Sequence, residues 1–201
     1  MKHKLISIAL VVLLLIGGAA RIAPAQSLAP HVETSREKAN RLATDAARRG
    51  EDLRHQWKLD AAEAAFREAI ALDATNLTAQ LGLARIARTR FDYQSALRML
   101  DKTIRSNPRA ADVLNEYGAI YTAAEETARA REYFDRALQL DPSNLSASSG
   151  RAAVDLLLRD YPSAETRVRV LLTRAPDNSR AHGLLARVLI ENNNTREATI
   201  A

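Results

Sequence analysis

Small and apolar residues recur along this chain on two scales. Over short stretches they fall three and four positions apart, as in Ala39, Ala43, Ala46, Gly50, Leu53 and Trp57, the spacing of one face of an α-helix. Between stretches the whole pattern repeats. Alanine occupies positions 62, 96, 130, 164 and 198, and proline 108, 142 and 176, both on a step of 34 residues. A fixed period implies equivalent units, each burying its apolar face on its neighbours. Written in register, the units are 43–76, 77–110, 111–144, 145–178 and an incomplete 179–201. Each full unit is predicted to hold two helices of about 14 residues and a short turn.

The register has a physical basis. The eighth position is Gly50, Ala84, Gly118, Ala152 and Ala186, and the twentieth is Ala62, Ala96, Ala130, Ala164 and Ala198. Two helices cross closely only where neither carries bulk at the contact, so these small residues mark the crossing. Phe66, Leu100, Phe134 and Val168, with Ile70, Ile104, Leu138 and Leu172 one turn later, are expected to fill the space around it. Pro108, Pro142 and Pro176 are placed to stop each second helix, because proline cannot continue it.

On these residues the chain resembles the tetratricopeptide repeat family over 43–201. The third unit matches best, with Leu114, Tyr117, Gly118, Tyr121, Ala130, Phe134, Ala137 and Pro142. The resemblance implies an all-α fold, an α–α superhelix whose first helices line a concave face. Carried over residue by residue, it implies that Thr78, Leu81, Arg85, Arg88 and Thr89 of the second unit face a ligand. Asp112, Asn115, Ala119, Thr122 and Ala123 do so in the third unit, and Ser146, Ser149, Ala153, Leu156 and Leu157 in the fourth. Arg180 and Arg187 occupy equivalent places in the fifth. The expected protein-binding groove therefore includes Arg85, Arg88, Asn115, Thr122, Arg180 and Arg187, an apolar floor with basic patches suited to a peptide carrying acidic groups. Charge reversal at Arg85 and Arg88 is expected to weaken such binding without changing helicity. Members that hold a terminal carboxylate place a lysine and an asparagine where this chain has Ala47 and Glu51, and basic residues where it has Asp112 and Glu116, so that sub-type is rejected for the first three units.

Departures from the repeat pattern carry their own expectations. Ala74 replaces the proline in the first unit. Arg151 and Asp155 stand at positions that are usually apolar. They are expected to form an i, i+4 pair contributing a few tenths of a kcal/mol, with Val154, Leu157 and Leu158 carrying the packing. The fourth unit is expected to be the weakest.

The ends of the chain read differently. Lys2 and Lys4 precede a largely apolar run from Leu5 to Ala20, followed by Ala23-Pro24-Ala25. This order of charged, apolar and small segments predicts a secretory signal over 1–25, with a competing cut after Ala20. An uncleaved membrane anchor is the alternative, although 16 residues are short for a span. Residues 26–33 form an expected flexible leader. Thr34 and Glu37 fit a capping box, from which a helix is predicted to reach about Gln56. That helix either covers the front of the array, the favoured reading, or forms a coiled-coil seam. At the other end, Asn192, Asn193 and Asn194 predict a turn, and Thr195 the start of a second helix. Because the repeat pattern stops without a polar covering helix, a fragment of a longer protein is expected.

Charge changes little in this picture. The net charge is +5, but Lys2, Lys4 and Arg21 precede the expected cleavage point and no acid does. The remaining 26 basic and 24 acidic residues are too balanced for a nucleic-acid footprint. The absence of cysteine removes disulfides, thiolate metal sites and a lipoprotein anchor. His31, His55 and His182 have no ligand spacing, and His182 is expected to be a partly buried structural residue. No phosphate loop, His-Glu-x-x-His or nucleophile motif is present. Asn76, Asn144 and Asn193 begin glycosylation-like triplets but are expected to serve turns. These observations predict a periplasmic or secreted scaffold, such as a bacterial envelope protein. It would bind another protein or peptide, without cofactor, metal or catalysis. The alternative is the front of a larger exported peptidase or transferase whose catalytic domain lies beyond Ala201.

Overall fold

The computed structural model describes residues 33–200, and side chains as far as Asn193. The expected signal and nearly all of the leader lie outside these residues, as does the side chain of Ala198. Among the described residues the order is α1 Ser35–His55, α2 Leu59–Leu72, α3 Leu77–Thr89, α4 Tyr93–Ser106, α5 Ala111–Ala123, α6 Thr127–Leu140, α7 Leu145–Leu157, α8 Tyr161–Arg174 and α9 Ser179–Ile200. No strand is present among them. Consecutive helices pack on one another. In addition α1 packs on α3, α3 on α5, α5 on α7 and α7 on α9, whereas the second helices make no such contact with each other. The first helices therefore occupy the inner radius of a curved stack, as expected for an all-α tetratricopeptide solenoid.

Local chemistry starts and stops the helices in phase. The side chains of Asn76 and Asn144 accept hydrogen bonds from the Ala79 and Ala147 amides at 3.0 and 2.9 Å. Asn178 accepts from the Ala181 amide at 3.0 Å. Asp92 and Asp160 accept from the amides of Ser95 and Ser163. Each satisfies a backbone donor that the helix itself leaves unpaired. Asn76 and Asn144 are thus helix caps, as their positions suggested. Between the two helices of each unit one residue takes a left-handed conformation: Trp57, Phe91, Glu125 and Arg159, with φ near 60°. Trp57 consequently does not continue the apolar stripe of α1. It lies in the turn, 77% exposed, because α1 ends at His55.

The core alternates between two knob-and-socket solutions. In the first unit Phe66 is fully buried between Gly50 of α1 and Gly82 of α3. A Cβ on Gly50 would lie 2.6 Å from the ring. In the third unit Phe134 is held the same way by Gly118 and Gly150. The second and fourth units use smaller knobs, Leu100 and Val168, where the eighth position is Ala84 and Ala152. Leu184 stands where Gly82 and Gly150 stand in their units, and it packs against the Val168 cluster. Socket and knob volumes thus vary together, as close packing requires. Tyr133 stacks on Tyr117 and Tyr121, with ring centroids 4.7 and 5.3 Å apart.

Three expectations are corrected. Arg151 and Asp155 form the expected i, i+4 pair, but it is buried, at 2% and 1% exposure, where breaking an ion pair costs far more than a few tenths of a kcal/mol. Arg151 bonds Asp155 and also donates Nε–H to Asp135 Oδ1 at 2.7 Å. Arg167 donates to Asp155 Oδ2 at 2.8 Å. Burial pulls the Arg151 pKa down, but the bonds and charges of Asp155 and Asp135 outweigh it and raise it. Val154 is buried as expected, while Leu157 and Leu158 are 50% and 45% exposed. The network, rather than those leucines, joins α6, α7 and α8. Next, α9 continues through Asn192, Asn193 and Asn194 without a turn. Asparagine permits a turn but does not force one. Finally, His182 is exposed, its ring nitrogen 2.6 Å from the Pro176 carbonyl.

Candidate functional site in the concave face

The five first helices enclose a cavity of about 640 Å³ on the concave side. Arg85 of α3 stands in its wall because its position falls on the inner face, opposite the stripe that holds Ala84 and Ala87. Its Nε–H donates to Glu116 Oε1 at 2.7 Å and its Nη1 to Glu51 Oε1 at 3.1 Å. Arg54 donates to the other Glu51 oxygen at 2.7 Å. The result is a chain of alternating charge, Arg54–Glu51–Arg85–Glu116, crossing three units. Burial lowers the Arg85 pKa, yet the carboxylates of Glu116 and Glu51 more than offset it, so the guanidinium is held charged. Glu116 is only 5% exposed, and its second oxygen lies 3.9 Å from Arg88 Nε.

Five of the six residues expected in the groove meet at this cavity: Arg85, Arg88, Asn115, Thr122 and Arg180. Arg187 does not. It lines an adjoining hollow of about 550 Å³ that shares Thr122, Ala123 and Ala153 with the first. Leu81 and Ser149, also expected to face a ligand, are at most 4% exposed and belong to the interior, while Leu156, 5% exposed, lines only the adjoining hollow. The floor between the charged walls is small and apolar, formed by Ala119, Ala123, Gly150 and Ala153. The Thr122 hydroxyl is already committed to the Gly118 carbonyl at 2.8 Å.

The basic patch is corrected in one respect. Arg85 is not an unengaged cation but the bridge between two acids. Reversing its charge would set three carboxylates against one another and remove the bridge, so a loss of binding on charge reversal would not by itself report a ligand contact. Sequence alone presents Glu51 and Glu116 only as groups that repel a carboxylate. One signal for the bridge is nevertheless there: Glu51 and Arg85 occupy the ninth position of successive units, 34 residues apart, and equivalent inner-face positions are neighbours in a stack. Among the described residues no group of three or more His, Cys, Asp or Glu could hold a metal ion, and no helix is long and apolar enough to cross a membrane.

Comparison with known proteins bears on the fold that carries this cavity. Two tetratricopeptide repeat family models match, one over residues 121–188 and one over 91–144. Anaphase-promoting complex subunit 3 of Schizosaccharomyces pombe is 27% identical over 123 residues, 61% of this chain. The chain spans only 18% of that relative's length. Among solved structures, TTC0263, a thermophilic TPR protein in Thermus thermophilus, superposes with a TM-score of 0.69 at 20% identity, over 78% of this chain and 86% of its own. Pseudomonas aeruginosa pilF superposes with a TM-score of 0.66 at 20% identity, over 80% and 72%. The chain carries tetratricopeptide repeats, and its fold is theirs.

Proposed function

We propose that this tetratricopeptide solenoid is an exported scaffold that holds another protein or peptide in its concave cavity and has no catalysis of its own. The observation that carries the reading is the cavity itself. Five helices from five units converge on it, its floor is made of residues too small to fill it, and its walls carry charged and amide groups. Such a surface buries an extended or helical segment and fixes its orientation by polar contacts. The Schizosaccharomyces pombe relative is named as a subunit of a complex, which is in keeping with a role in assembly. The proposal of export rests on the first 25 residues alone, with their basic start, apolar run and Ala23-Pro24-Ala25.

The test is co-purification from the native envelope fraction with a C-terminal tag, comparing the parent with Ala153→Trp, which fills the floor. A stoichiometric partner recovered by the parent and lost by the variant is expected. A partner held equally by both would place binding elsewhere on the molecule. Recovery of the protein from the cytoplasmic fraction with residues 1–25 intact would remove the export reading.

A further inference from the structure

We propose that Arg88, not Arg85, reads an aspartate or glutamate side chain of the bound segment, a reading that rests on the groove assignment above. The two arginines lie three residues apart on α3 yet are in opposite states. Arg85 has two carboxylate partners within hydrogen-bond distance. Arg88 has a buried Nε–H that meets no acceptor. Its nearest carboxylate oxygen, on Glu116, stands at 3.9 Å, beyond hydrogen-bond range, and the same carboxylate already accepts from Arg85. Buried donors without acceptors are rare in native proteins and mark places where a group is missing.

The electrostatics select the missing group. The cavity wall carries Arg54, Arg85, Arg88 and Arg180 against Glu51 and Glu116, His55 aside, so positive charge is in excess by two. One incoming carboxylate on the accessible part of the Arg88 side chain, which is 31% exposed, would reduce that excess, whereas a lysine or arginine on the ligand would add to it. The planar guanidinium suits a carboxylate fork. Asn115, 7% exposed and lining the same cavity, offers both a donor and an acceptor to the peptide backbone beside it. Arg85 is then a positioning residue: by taking the hydrogen bond of Glu116 at 2.7 Å it leaves that carboxylate 3.9 Å from Arg88.

The experiment selects a phage-displayed library of random twelve-residue peptides on the immobilised protein. Enriched peptides are then measured by fluorescence anisotropy against the parent, Arg88→Gln and Ala153→Trp, each first checked for an unchanged unfolding midpoint. Enrichment of Asp or Glu at one peptide position is expected, with affinity falling roughly tenfold or more on Arg88→Gln. The same loss is expected when the peptide acid is changed to its amide, with no further loss when both changes are combined. Losses that simply add would overturn the pairing. Peptides blocked by Ala153→Trp but indifferent to Arg88→Gln would leave the groove standing and remove the anion site. Peptides indifferent to Ala153→Trp, or no enriched peptide at all, would remove the groove assignment and this inference with it.

Discussion

Replacing Gly118 by alanine is expected to destabilise the protein, although the same change in an ordinary helix interior stabilises by about 1 kcal/mol. The reason is the socket around Phe134. A Cβ on Gly118 would meet ring atoms Cε1, Cδ1 and Cγ at 2.7, 2.8 and 2.9 Å. The ring cannot retreat, because Gly150 faces it from α7 and has no room for a Cβ either. Overpacking of this kind costs about 1–3 kcal/mol, and a ring wedged from both sides belongs at the upper end. The net loss is then about 2 kcal/mol, or a midpoint lower by about 4–8 °C in a chain of this size. Phe134→Leu alone should lose a comparable amount by leaving a cavity. The double variant recreates the Ala84–Leu100 combination, which is fully packed in the second unit at 1% and 0% exposure. It should recover much of the sum, with a coupling of about 2 kcal/mol. Urea unfolding followed by far-ultraviolet circular dichroism on the four proteins measures the cycle. A neutral Gly118→Ala, or a double variant equal to the sum of the singles, would refute the knob-and-socket account.

Other outcomes follow from single features. Asp155→Ala leaves Arg151, 2% exposed, with only Asp135, and should cost about 3–5 kcal/mol in urea unfolding; a loss below about 1 kcal/mol would return the pair to the small i, i+4 contribution expected from its spacing. Glu125→Gly relieves a left-handed backbone at φ 62°, and after the entropy of glycine is counted should gain about 0.5–1 kcal/mol. No gain in the thermal midpoint would show that the turn carries no such strain. Asp160 is held below the ordinary carboxylate range by hydrogen bonds from Ser163, so its contribution is present above the unfolded value, about pH 4, and lost as pH falls through the lower folded value. Asp160→Ala should therefore lower the midpoint at neutral pH, with the gap to the parent closing below about pH 4; a gap independent of pH would contradict the cap. Arg85→Gln should lower the midpoint by leaving Glu116 buried without its strongest partner, whereas Arg88→Gln should not.

The periodic part of this structure was legible because it depends on local rules repeated in phase. Small residues at Ala62, Ala96, Ala130 and Ala164 are all fully buried, and prolines 108, 142 and 176 each follow a second helix that has ended. Position along a helix decides both outcomes, so one sequence with its own internal repeats suffices. The groove positions came from the family resemblance, carried onto this chain through the register that the periodicity set. What failed to be legible was of another kind. The Arg151–Asp155 pair was legible from its i, i+4 spacing, but its burial and its links to Asp135 and Arg167 were not, because those links run between helices. Trp57 looks helical in sequence because the turn that ejects it is imposed by the packing of α2 on α1 and carries no glycine to announce it.

The sequence by itself therefore determined the unit, its two helices, their close crossing and the face each presents, since these follow from backbone geometry and side-chain size at a fixed period. Only the tertiary structure decided which charges meet. Arg85 is bridged and Arg88 is left with an orphan donor although both face inward from one helix. That difference depends on the angle and distance between neighbouring units, which bring Glu51 and Glu116 within 3.1 Å of the Arg85 guanidinium but leave Glu116 3.9 Å from that of Arg88.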